Sequence, residues 1–103
     1  MLFRSSFTGS NEVGTLVQQA AAKNAVKCVL ELGGKSPQIV FDDVDVERAV
    51  PIIVRAIVQN AGQTCTAGSR LLVQRSIFDS FVAKVAEAFS KVKVGTQIGR
   101  AHV

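Results

Sequence analysis

The chain has 103 residues, 48% of them hydrophobic and 19% charged, with a formal net charge of +4. This composition is globular, excludes a disordered chain, and suffices for one small domain that buries about two-thirds of its unfolded surface. No apolar run approaches the roughly 20 residues that span a bilayer, and no signal peptide is visible. Two cysteines without a secretory signal indicate free thiols in a reducing, cytoplasmic setting.

The two ends do not continue the pattern of the middle. Met1-Leu2-Phe3-Arg4-Ser5 is what GTG CTC TTC CGA TCT encodes when GTG is the start codon. Ile98-Gly99-Arg100-Ala101-His102-Val103 is what ATC GGA AGA GCA CAC GTC encodes, and a hybrid CAG codon accounts for Gln97. Both nucleotide runs are stretches of common sequencing adapter, so residues 1–5 and 98–103 are expected to be artefact, the alternative being a natural basic tail. His102, the one histidine, is then set aside, and with it a zinc site or a Cys-His dyad. Arg4 and Arg100 go too, leaving ten basic against eight acidic side chains, a balance of +2. No basic stripe of the kind that binds nucleic acid is present.

Residues 11–22 are predicted to be a helix. Val13, Leu16, Val17, Ala20 and Ala21 share one face, Ser10 is placed to cap it, and Glu12 suits the positive end of its dipole. Residues 26–32 read as a short buried strand stopped by Gly33-Gly34. Pro37 bars a helix, and residues 38–41 read as the next strand. The acidic stretch 42–45 marks a helix start. In the apolar run 50–61, the helix is expected either to begin near Pro51 or to kink there. Residues 71–74 are a strand candidate. Ser76 and Asp79 have the spacing of a capping box, and Phe78, Phe81, Val82, Val85 and Phe89 form a helical stripe reaching about Val92. Strands alternating with helices define an α/β architecture.

Two residues carry chemistry. Cys65 lies in Gly62-Gln63-Thr64-Cys65, and Glu31 lies thirty-four residues upstream in Leu30-Glu31-Leu32-Gly33-Gly34-Lys35. A thiol is a nucleophile once ionised, from a free pKa of about 8.5, and a carboxylate activates the water that later releases product. Taken alone, a cysteine such as Cys65 is more often a small buried hydrophobe than a nucleophile. Glu31, between two leucines, is costly to bury without a partner, so it is expected either as a base of raised pKa or in a salt bridge with Lys35 or Arg70. Cys28 reads as a packed strand residue. Phe7-Thr8-Gly9-Ser10 leads into a helix N-terminus that suits anions, though an ordinary capped helix looks the same. Gly34-Lys35-Ser36 imitates the end of a P-loop, but Val29 stands where the earlier glycine is required, and Pro37 obstructs the helix that must follow.

Together with Ser36-Pro37 and Ala67-Gly68-Ser69-Arg70, these segments resemble, in order from about Ser6 to Thr96, the NAD(P)-dependent aldehyde dehydrogenase superfamily. The resemblance implies a fragment of that fold, with residues 6–32 ending the cofactor-binding domain and residues 33–97 beginning the catalytic domain. It places the nucleophile at Cys65 and the general base at Glu31. It sets Gly9 and Ser10 against the dinucleotide, Val13 on its adenine side, and the Leu32 backbone at the nicotinamide amide. It implies NAD or NADP as cofactor, an aldehyde substrate, no nucleic acid or membrane partner, and a parent homodimer or homotetramer. Some relatives that pass the acyl group to coenzyme A lack this glutamate, so Glu31 favours hydrolysis to a free acid. The remaining alternatives are such a coenzyme A-acylating relative and a catalytically inert α/β binding module. The 103-residue chain alone, lacking the rest of the cofactor site, is expected to be inactive.

Overall fold

The computed structural model describes residues 3–95. Two units follow one another, each built on a parallel strand pair. The first comprises β1 (Arg4–Thr8), α1 (Asn11–Lys23) and β2 (Lys27–Glu31), with Arg4 opposite Lys27 and Thr8 opposite Glu31. The second comprises β3 (Pro37–Val40), α2 (Val46–Val58), β4 (Arg70–Val73) and α3 (Phe78–Ser90), with Pro37 opposite Arg70 and Val40 opposite Val73. Short 3-10 turns occupy Gln59–Gly62 and Arg75–Ile77. Parallel pairing needs a crossover between strands, and a helix supplies it in each unit. The α/β expectation is met, and Arg4–Ser5, inside the segment set aside as adapter, belong to β1. His102, Gln97 and the rest of the C-terminal segment set aside lie outside the described residues.

The helices start where polar caps permit. Ser10 accepts a hydrogen bond from the Val13 N–H at 3.3 Å, and Asp45 accepts one from the Arg48 N–H at 3.3 Å. The second cap lies in the acidic stretch expected to start a helix and excludes a start at Pro51. The helix begins at Val46, and Pro51 lies inside it, with its ring exposed. Val46, Ala49, Val50, Ile53 and Val54 keep one apolar face past the proline, so packing outweighs the backbone bond it removes.

The capping box expected at Ser76 and Asp79 does not form. The Ser76 hydroxyl donates instead to Asp42 Oδ2 at 3.2 Å, and Ile77 precedes α3 without a side-chain cap. Gln74 completes that cluster: its amide donates to Asp42 Oδ2 at 2.7 Å and accepts from the Asp42 N–H at 3.1 Å, joining the ends of β3 and β4. At the far end of α3, Lys91 donates to the Glu87 carboxylate at 2.7 Å. That hydrogen bond, then the ammonium charge, hold the Glu87 carboxyl below its ordinary range.

The core sits in the second unit. Val40, Val50, Ile53, Phe81 and Val85 pack together between β3, α2 and α3, and Phe81 is 1% exposed. Full burial of such side chains contributes about 1.5–3 kcal/mol each. The first unit has Gly14 and Ala21 as its buried helical residues, while Val13 and Leu16, on the face expected to be apolar, are exposed. Ile39, Phe41 and Leu72 are likewise exposed on the second unit. The radius of gyration is 19.3 Å, where a closed domain of this length has about 13 Å. The two units thus do not close into one globule, contrary to a reading from composition alone.

Candidate active site

Glu31 ends β2 at the seam between the units. Side chains alternate along the strand, with Cys28 and Leu30 half-buried and Lys27, Val29 and Glu31 exposed. The burial expected for Glu31 is therefore not found: the pleat sets it on the open face of this chain. Nor is it in a salt bridge among the described residues. Lys35 Nζ donates to the Gly34 carbonyl at 3.1 Å, and Arg70 Nε donates to the Lys35 carbonyl at 2.7 Å. The Glu31 backbone is anchored from the other side, where the Gly9 N–H donates to its carbonyl at 3.1 Å. Gly9 and Ser10, the turn into α1, thereby lie beside the end of β2. Leu32 packs its side chain over Gly14 on α1. Val13 is exposed on the same helix, 43% of its surface being accessible.

Cys65 is exposed and Cys28 half-buried; both are free thiols, as expected. After α2, the chain turns through three successive left-handed residues, Asn60 (φ 51°), Ala61 (φ 54°) and Gly62 (φ 76°). Asparagine and glycine tolerate that region, whereas alanine does so at a cost. The Asn60 amide donates to the Gln63 carbonyl at 2.9 Å and the Gln63 N–H returns to the Asn60 carbonyl at 3.0 Å. The Ala67 N–H then donates to the Thr64 carbonyl at 3.0 Å, closing a turn with Cys65 and Thr66 at its tip. Among the described residues the Cys65 N–H donates to no acceptor. Ala67, 3% exposed, and the buried Gly68 root the turn beneath the thiol.

The two segments meet at Gly34. A β-carbon built there falls 2.5 Å from the Cys65 carbonyl oxygen, so only glycine admits this approach of backbone to backbone. Arg70 reinforces the seam, its backbone N–H donating to the Ser36 carbonyl at 3.3 Å while its side chain holds Lys35. Glu31 lies three residues before the Gly34 contact, at the end of β2. An open cleft of about 650 Å³ lies alongside, lined by Ser10, Asn11, Glu12, Gly33, Gly34 and Lys35. Among the described residues no cluster of His, Cys, Asp and Glu has the makings of a metal site. Gly34-Lys35-Ser36 leads into β3, as expected once the P-loop reading is rejected.

Sequence reasoning read Gln38 only as part of a strand. The structure shows its amide donating to the Gly68 carbonyl at 2.9 Å and the Ile53 carbonyl at 3.4 Å. The available signal was a polar residue two positions before buried Val40, and so on the same face of β3.

The chain is thus an α/β arrangement in which the backbone of an exposed, free cysteine meets the Gly-Gly turn that follows β2. A sequence model of the aldehyde dehydrogenase family matches residues 4–102. A Staphylococcus epidermidis protein provisionally named an aldehyde dehydrogenase is 52% identical over 100 residues, covering 91% of this chain and 21% of its own length. Betaine aldehyde dehydrogenase from Staphylococcus aureus, solved in complex with NAD+, superposes with a TM-score of 0.86 at 45% identity, over 91% of this chain and 19% of that one. A salicylaldehyde dehydrogenase from Pseudomonas putida, solved with salicylaldehyde, matches with a TM-score of 0.86 at 44% identity over the same shares. The chain belongs to the aldehyde dehydrogenase family and spans about a fifth of the length of these relatives.

Proposed function

We propose that the protein containing this chain oxidises an aldehyde to a carboxylic acid with NAD or NADP, through a covalent intermediate on Cys65. The observation that supports this reading is the approach of Gly34 to the carbonyl of Cys65, which joins the cysteine turn to the segment that follows Glu31. The Cys65 thiolate attacks the aldehyde carbon, a C–S bond forms, and the carbonyl electron pair moves to oxygen, giving a thiohemiacetal. The Cys65 N–H, which meets no acceptor among the described residues, is a donor for that oxyanion. NAD or NADP, when bound, supplies the hydride acceptor that converts the thiohemiacetal to a thioester. Glu31 removes a proton from water, which adds to the thioester carbon; the C–S bond breaks, and the acid leaves as Cys65 thiolate is restored.

The break between the two strand pairs, at residues 32–36, supports a domain boundary there. On this reading residues 6–32 end the cofactor-binding domain, residues 33–97 begin the catalytic domain, and residues 1–5 and 98–103 are adapter. The cleft beside α1 fits one part of a dinucleotide. Its lining combines the first residues of a helix, two glycines and the cation of Lys35, which suit a phosphate, although Glu12 opposes one. Gly9, Ser10, Val13 and Leu32 are the residues proposed to hold the cofactor. The NAD+ complex of the S. aureus relative supports NAD as one candidate. The parent is proposed to be a cytoplasmic homodimer or homotetramer, with no nucleic acid or membrane partner. No helix among the described residues is long and apolar enough to cross a membrane.

The test uses the full-length enzyme. Cys65→Ala is expected to form no acyl-enzyme, and Glu31→Gln to form it and release acid slowly, by about 10²–10⁴-fold, the usual worth of a general base. Turnover unchanged in both variants contradicts the assignment.

A further inference from the structure

We propose that Gln38 is a positioning residue for Cys65, acting through Gly68; this rests on the reading of Cys65 as the nucleophile. A half-buried amide needs partners, and Gln38 spends its donors on two backbone carbonyls from separate parts of the chain, Ile53 in α2 and Gly68 after the cysteine turn. Gly68 is fixed twice over, since its own N–H donates to the Ala56 carbonyl at 3.1 Å.

Gln38 and Gly68 are sterically matched. A β-carbon on Gly68 would lie 2.5 Å from Gln38 Nε2, 2.6 Å from its Cδ and 2.9 Å from its Cγ. The amide fills the volume that any side chain at position 68 would need. A free glutamine tip would swing aside, but this one cannot do so without giving up both hydrogen bonds. The turn that carries the thiol is thus clamped at both ends, by Gly34 against Cys65 and by Gln38 against Gly68. Only Thr66 and Ala67 stand between Cys65 and Gly68, so slack at Gly68 reaches the sulfur. Misplacement by about 1 Å suffices to lower a rate about a hundredfold.

The full-length enzyme is compared with its Gln38→Leu, Gln38→Ala, Gly68→Ala and Gln38→Ala/Gly68→Ala variants. The readouts are the pre-steady-state burst of reduced nicotinamide, the rate of Cys65 alkylation by iodoacetamide, and the KM for the cofactor. Leucine keeps most of the volume and removes the donor. It is expected to slow the burst about tenfold and alkylation several-fold, with the cofactor KM within about twofold. Gly68→Ala is expected to lose about a hundredfold in burst rate. Adding Gln38→Ala should recover roughly tenfold of that, because the new methyl enters the vacated space. Burst and alkylation within about twofold of the parent in Gln38→Leu would overturn the proposal, as would no recovery in the double variant. If Gln38→Leu does not fold, the Gly68→Ala pair decides by itself. Turnover retained by Cys65→Ala would instead overturn the nucleophile reading, an outcome separate from these.

Discussion

Gly34 and Cys65 touch backbone to backbone: the position a β-carbon would take on Gly34 lies 2.5 Å from the Cys65 carbonyl oxygen. Neither partner can swing away as a side chain would. Gly34→Ala must therefore displace the cysteine turn or the turn after β2. The expected outcome in the full-length enzyme is a loss of about tenfold or more in kcat, with cofactor affinity little changed. Steady-state kinetics alongside cofactor titration check it; a parent-like kcat would show that the seam does not position the thiol.

The exposed state of Cys65 and the half-buried state of Cys28 predict selective alkylation. Limiting iodoacetamide at neutral pH should label Cys65 first in the purified 103-residue chain, as read by peptide mass mapping. Labelling of Cys28 at an equal or faster rate would contradict the placement of the cysteine turn.

Phe81 is the best-buried side chain of the core shared by α2, α3 and β3. Phe81→Ala removes a whole ring from that contact and is expected to destabilise the second unit by about 3–5 kcal/mol. Chemical denaturation of the full-length variant measures it. Phe89→Ala, at a position 38% exposed on the same helix, should cost much less and serves as the control.

The 103-residue chain alone is expected neither to bind dinucleotide tightly nor to oxidise aldehydes. Its Leu16, Ile39, Phe41, Ile52 and Leu72 are exposed, and it spans about a fifth of its relatives' length. Titration calorimetry with NAD+ and NADP+, followed by a turnover assay, tests this. Micromolar affinity or measurable turnover would contradict it.

Much of the local structure is legible in the residues because it depends on neighbours in sequence. The apolar spacing and Ser10 cap foretold α1, and Gly33-Gly34 and Pro37 marked the break between β2 and β3. The entry to α2 in the acidic stretch 42–45 was legible and the Asp45 cap bears it out, whereas a start at Pro51 is excluded by the apolar face that runs from Val46. The capping box at Ser76 failed because Asp42, thirty-four residues away, takes its hydroxyl. The exposure of Glu31 was missed because flanking leucines suggest burial, while the pleat turns the carboxylate to the opposite face. The pairs Gly34–Cys65 and Gln38–Gly68 were illegible for one reason: each joins segments about thirty residues apart in the chain, and no local pattern encodes such an approach.

The most direct measurement is intact-protein and peptide mass spectrometry of the full-length Glu31→Gln enzyme, quenched after mixing with an aldehyde and NAD+ or NADP+. Covalent catalysis by Cys65 predicts a thioester adduct of the acyl mass on the peptide containing Cys65, absent from the Cys65→Ala/Glu31→Gln double variant. No adduct, or one on any other residue while turnover persists, contradicts it.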